Sequence, residues 1–144
     1  MKRGVVLLAT VAAVTLLGLS PACVPVRASE LDGTSWLLES HGHPSDLIPM
    51  IEWTNISVVF EGGGVVSGST GCNAFEGTYQ VEGEALTIQY EPKPGPRCDL
   101  SSIVEQEQMF LALIVRAEGY AIDGDTLTID CDDKVLVLKR RQPA

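Results

Sequence analysis

Residues 79–88 read YQVEGEALTI and residues 120–129 read YAIDGDTLTI. A tyrosine, a branched residue, an acid, a glycine, a second acid and Leu-Thr-Ile recur at the same spacing. Gly83 and Gly124 supply a backbone that can take positive φ, and the flanking acids solvate a turn. Leu86, Ile88 and Tyr90 then alternate with Thr87 and Gln89, and Leu127, Ile129 and Cys131 alternate in the second copy. Alternation with period two gives one buried and one wet face, so each copy predicts strand, tight turn, strand. Two copies are too few for a solenoid, which needs at least three. The repeat therefore predicts two equivalent hairpins in one sheet.

The rest of the chain supports the same architecture. Thr34–Leu38 predicts a first strand, and Ile56–Phe60, Glu61–Gly64 and Val65–Gly68 predict a hairpin with a glycine turn. The segment HGHPSDLIPM carries Gly42, Pro44 and Pro49 and reads as a loop holding His41 and His43 exposed. Between the two copies, SIVEQEQMFLALIVRA reads as a helix opened by a Ser102/Glu105 capping box and closed by Gly119. Ile103, Phe110, Leu113 and Ala117 fall on one apolar face of it, with Met109 and Ile114 alongside. Pro92–Arg97 reads as a stiff segment that cannot join a sheet. Lys134–Leu138 is a last strand, and Lys139-Arg140-Arg141 guard it as an edge or steer the protein toward acidic lipid. The fold class is α+β: mostly antiparallel β, a sheet or partly closed barrel of hairpins, with one packed α-helix.

Residues 1–28 read as a signal peptide. Lys2 and Arg3 precede an apolar run from Val5 to Leu19, too short to span a ~30 Å bilayer but suited to an export signal. Val26-Arg27-Ala28 suits cleavage before Ser29. Leu19-Ser20-Pro21-Ala22-Cys23 resembles a lipobox in which Cys23 would be acylated, although the leucine stands four places before the cysteine rather than three. Either exit predicts an extracytoplasmic protein, secreted, periplasmic or membrane-anchored, whose single domain occupies residues 29–144. Losing Lys2, Arg3 and Arg27 would move the formal net charge from −9 to −12. So acidic a chain excludes a nucleic-acid partner, which would require clustered Lys and Arg.

Catalytic signatures are missing. A cysteine nucleophile needs an imidazole, and nothing local links His41 or His43 to Cys72. His-Gly-His offers two ligands where a metal needs three or four. Asp123, Asp125, Asp130, Asp132 and Asp133 lack the glycine and glutamate of an EF-hand loop and read as solvated turns. No phosphate loop, nucleophile elbow or dinucleotide fingerprint occurs. The expectation is a protein that is not an enzyme and has no catalytic residue, metal or cofactor.

Four cysteines are present. With Cys23 removed or acylated, Cys72, Cys98 and Cys131 remain and allow three pairings. Cys131 occupies an inward slot of the alternation and reads as a buried free thiol, which leaves Cys72 with Cys98.

Leu31–Leu38 (LDGTSWLL), Gly68–Tyr79 (GSTGCNAFEGTY), Cys98, Gln106-Glu107 before Met109-Phe110, and Leu127-Thr128-Ile129 together resemble the META domain, the HslJ-like family of heat-shock-associated envelope proteins. The most specific part is GCNAFEGTY, with Gly71, Cys72, Asn73, Phe75, Gly77 and Tyr79. The resemblance implies a compact β-rich domain with one helix, a cysteine pair at Cys72 and Cys98, and a role in envelope stress tolerance without an established biochemical activity. Where family members often carry a Thr-Arg-Met-type run before the second cysteine, this chain has Pro94-Gly95-Pro96-Arg97.

The leading expectation is an exported, non-enzymatic binding or protective module, with an envelope protein, a lipid or a small apolar ligand as partner classes. The first alternative is a carrier holding a small apolar ligand inside a barrel, which would require an interior cavity above ~300 Å³. The second is a thiol-dependent enzyme using Cys72.

Overall fold

A computed structural model describes residues 29–93, 95 and 98–142. Residues 1–28, where the sequence predicts a signal peptide with Cys23 as the lipidation candidate, lie outside the described residues. The elements are β1 (Thr34–His43), β2 (Asp46–Pro49), β3 (Ile56–Glu61), β4 (Val65–Thr70), β5 (Ala74–Glu82), β6 (Ala85–Pro92), α1 (Ser101–Ile114), β7 (Gly119–Asp123), β8 (Thr126–Cys131) and β9 (Lys134–Arg140). Neighbouring strands follow the order β2-β1-β3-β4-β5-β6-β7-β8-β9, all antiparallel. β9 also pairs with β1, so eight strands close into a barrel and β2 hangs on the far end of β1.

Closure depends on the length of β1. Its first four residues pair with Val58–Phe60 and Ser57 of β3, while Trp36–Gly42 pair with β9 across a register shift between Leu38 and Ser40. A bulge there bends the strand, which is how one strand serves two neighbours around a corner. The Glu39 carbonyl released by the bulge accepts from the Met50 amide at 2.8 Å. Closure removes the sheet edges that an open sheet would expose.

The two repeat copies form β5–β6 and β7–β8, adjacent hairpins of one sheet, as their pattern predicts. Gly83 and Gly124 occupy the first turn position with φ of 64° and 59°. The β8–β9 turn places Asp132 at the corresponding position with φ 64°, the single non-glycine with positive φ among the described residues. Leu86, Ile88, Leu127, Ile129 and Cys131 are buried, while Tyr90 is half-buried. The seam between the copies is thin. Ala85 pairs with Gly119, flanked by the bonds Leu86 N–H to Glu118 O (3.1 Å) and Tyr120 N–H to Glu84 O (3.0 Å).

The barrel is filled. Trp36, Phe60, Leu86, Ile129 and Leu136 are inaccessible or nearly so, and Phe110 enters from α1 to meet Phe75 at 5.8 Å between ring centroids. Helix α1 covers the end where β4 and β6 finish and β9 begins. Leu31, fully buried, closes the opposite end, where the β3–β4, β5–β6 and β7–β8 turns lie.

Several local expectations are corrected. HGHPSDLIPM is a hairpin rather than a loop, because the Pro44-Ser45 pair makes a two-residue turn between His43 and Asp46. His41 thus sits half-buried on β1, and burial together with the Lys134 charge lowers its pKa; His43 alone is exposed. The helix starts without a capping box: Leu100 stands at its N-cap with no side-chain bond, while Ser101 and Ser102 are exposed. Gly119 opens β7, since the helix has already ended at Ile114. Pro92 does join the sheet, as the last residue of β6 opposite Phe75, a strand terminus where a missing N–H costs little. The basic tail guards no edge, because β9 pairs on both sides. Arg140 stacks 4.4 Å over Trp36 and lies 3.7 Å from Asp125, and Lys139 donates to Thr126 at 2.6 Å.

Candidate functional site

The signature strand β5 runs the length of the barrel and builds something different at each end. Its alternation turns Phe75 and Tyr79 inward, 2% and 5% exposed, while Glu76, Thr78 and Gln80 face solvent. Gly77 pairs with Tyr90 so closely that a Cβ there would run into the Gln89 carbonyl and the Tyr90 backbone. That requirement explains the glycine.

At the turn end, Tyr79 meets the LDGTSW segment. Its ring stands edge-on to Phe60 at 5.0 Å, and its hydroxyl reaches the Asp32 carboxylate and the Glu61 carbonyl (3.0 Å). Asp32 also accepts from Ser29 Oγ at 2.6 Å; the Ser29 bond first and the Tyr79 bond second hold its carboxyl below the usual range. Burial, followed by the bond to Asp32, pushes the Tyr79 phenol up to about 12. Gly33 takes φ 73° and returns the chain so that Thr34 Oγ1 donates to Leu31 O (2.5 Å) and accepts from Trp36 Nε1 (2.7 Å). This turn seats Leu31 as the plug. Beside it lies an open cleft of about 960 Å³, bounded by the segment entering β1, the Gly63-Gly64 turn, the end of β5 and β7. Tyr120, Val81 and Ile122 give it apolar surface, and Glu30, Asp32 and Glu84 give it charge. Burial, and then the charges of those three carboxylates, raise the pKa of Tyr120.

At the helix end, Gly71 (φ 93°) turns the chain between β4 and β5, and Cys72 on this turn is bridged to Cys98 with 6.1 Å between their Cα atoms. Thr70, 1% exposed, donates to Glu107 Oε1 (2.5 Å) and accepts from the Asn73 amide (3.0 Å). Asn73 Nδ2 donates to the same Glu107 oxygen at 3.0 Å, while Asn73 Oδ1 is buried without a hydrogen-bond partner among the described residues. Gln106, the residue before Glu107 on the helix, is 8% exposed; it accepts from the Ile51 amide (3.0 Å) and donates to Thr54 (2.6 Å). A smaller space of about 210 Å³ opens beside Thr70, Asn73 and Glu107.

The expected Cys72–Cys98 bridge is thus present, and Cys131 is a buried free thiol whose burial pushes it up to about 12. His41 and His43 face a separate space near Met109 and Lys134, away from the signature turn. The five aspartates are dispersed over turns and strand ends: Asp132 makes a turn, Asp125 faces Arg140, and Asp123, Asp130 and Asp133 are exposed. Asp32, Tyr120, Gln106 and Glu107 were missed as site residues. Asp32, Gln106 and Glu107 lay within stretches that carry the family resemblance, which was the available signal. Tyr120 heads the second repeat copy as Tyr79 heads the first.

The sequence profile of the META domain matches residues 29–143. The chain belongs to the META domain family. Among solved structures, this META domain is similar to a protein from Burkholderia xenovorans determined by NMR, with 18% identity, a TM-score of 0.65, and coverage of 78% of this chain and 85% of that one. It is also similar to a DUF4847 family protein from Bacteroides vulgatus, with 14% identity, a TM-score of 0.62, and coverage of 80% and 97%. At such identities the likeness concerns the fold alone. No protein in a search of curated sequences matches this one.

Proposed function

We propose that this META domain is an exported, non-catalytic binding module that protects the cell envelope under stress, and that it binds through the cleft beside Tyr79 and Tyr120. The observation that carries this reading is the cleft of about 960 Å³ at the meeting point of the two signature stretches. Its size suits a small molecule or a short peptide, and its mixed aromatic and polar lining resembles that of binding sites. The converging carboxylates favour a neutral or cationic ligand over an anion.

Support for a non-catalytic role comes from the thiols: Cys72 is held in a disulfide and Cys131 is buried and protonated at neutral pH. A carrier of ligand inside the barrel has less support, because aromatic and branched side chains occupy the interior and the described spaces open to solvent. The test is a thermal-shift and NMR titration with isolated envelope components, including glycan fragments, lipid headgroups and cationic peptides. Perturbations at Tyr120 and Ile122, weakened by Tyr120→Ala, are expected together with reduced stress survival of a deletion strain. No perturbation by any component and unchanged survival would overturn the reading.

A further inference from the structure

The other end of the barrel carries a different chemistry. The sulfurs of Cys72 and Cys98 and a carboxylate oxygen of Glu107 all lie within 4.8 Å of one another. Two thiolates and a carboxylate are a zinc donor set, and a fourth position can be completed by water. The carboxylate does not wander. Thr70 and Asn73 both donate to Oε1, which leaves Oε2 outside that pair of bonds, and Thr70 is itself buried. Polar partners that fix a ligating carboxylate are the usual outer shell of a metal site. Asn73 Oδ1, on the residue that holds Glu107, is buried and has no hydrogen-bond partner among the described residues. The adjoining space of about 210 Å³ gives solvent and ions access from the Lys93 side.

We infer that the Cys72–Cys98 pair is a redox-gated Zn²⁺ site: closed as the disulfide, and opened on reduction to bind zinc through Cys72, Cys98 and Glu107. The disulfide takes two electrons and two protons from an external dithiol, which leaves as its own disulfide. Zinc then displaces the two thiol protons and forms two S–Zn bonds and one O–Zn bond. A Cα separation of 6.1 Å suits a disulfide and also lets two cysteines share one tetrahedral ion, so the exchange needs small side-chain movements. In the oxidised protein the thiolates do not exist and the site is shut. The metal offsets in the reduced state part of the stabilisation that the bridge supplies in the oxidised one.

The test uses the whole domain, oxidised and phosphine-reduced under anaerobic conditions, titrated with Co²⁺ as a spectroscopic probe and then with Zn²⁺. The reduced protein should develop thiolate-to-cobalt charge-transfer absorption at one ion per chain, lose it on adding Zn²⁺, and melt at a higher temperature with metal than without. Oxidised protein should show no band. Cys131→Ser should leave the band intact, since that thiol is buried elsewhere. Glu107→Gln should weaken Co²⁺ binding by about tenfold or more, while Glu105→Gln, an exposed change on the same helix, should not. The inference falls if reduced protein, folded or not, gives no band and no metal-induced rise in melting temperature. It falls equally if oxidised protein binds as well, or if Glu107→Gln binds as tightly as wild type.

Discussion

The two ends of the barrel are closed by different means. At the helix end, a disulfide, an aromatic plug and two inward polar residues from α1 tie the signature turn to the helix and to the 51–54 loop. At the turn end, one leucine and one tyrosine–aspartate contact close the barrel, and the large cleft lies beside them. The same strand, β5, supplies Asn73's neighbour Ala74 and Phe75 to the first and Tyr79 to the second. The contrast teaches that the family signature is first a closure device, and that open space survives where closure is lightest.

That contrast can be tested by removing its parts. Phe110→Ala empties the plug of the helix end and should cost about 3–5 kcal/mol, read from the denaturant midpoint. Opening the disulfide by Cys72→Ser with Cys98→Ser, whose closed loop spans 26 residues, should cost about 3–4 kcal/mol on the chain-entropy account. A cost below that of a surface substitution would show that the helix end does not depend on the bridge.

Tyr79→Phe tests the turn end and should cost about 1–3 kcal/mol, because the Asp32 carboxylate and Glu61 carbonyl lose a buried donor. It also has a pH signature. The Tyr79 phenol is raised from 10.0 to about 12 in the fold, so its contribution is complete below pH 10 and is lost as pH rises toward 12. Alkaline melting curves should show a larger loss in wild type than in Tyr79→Phe, which keeps the raised Cys131 and Tyr120 groups but not this one. Asp32 behaves in the opposite sense: its lowered pKa adds stability above about pH 3.8 that disappears as acid protonates it. The smallest effect is expected at the β8–β9 turn, where Asp132→Gly relieves a positive φ and should stabilise by less than about 1 kcal/mol. A loss there would mean that the aspartate side chain, not its backbone, shapes the turn.

Much of this architecture is written locally. The repeat hairpins, the glycine turn after β3 and the apolar face of α1 depend on residues a few positions apart, so pattern and turn chemistry suffice. The β1–β2 hairpin escaped because proline and glycine punctuate loops and tight turns alike, and β2 is exposed along its whole length, with no buried face to reveal it. Gln106 and Glu107 escaped for another reason: a polar residue on a helix reads as solvent-facing until something across the chain is seen to accept it.

What the sequence alone determined is the set of parts: a hairpin-built β domain, one helix, a staple between Cys72 and Cys98, a buried Cys131. Only the tertiary structure decided that β9 returns to β1 and closes the barrel, that Asp32 meets Tyr79 across 47 positions, and that Glu107 faces the cysteines. Local preference is set by neighbours along the chain. Closure and site geometry depend on registers between strands far apart in sequence, which are chosen by the packing of the whole core.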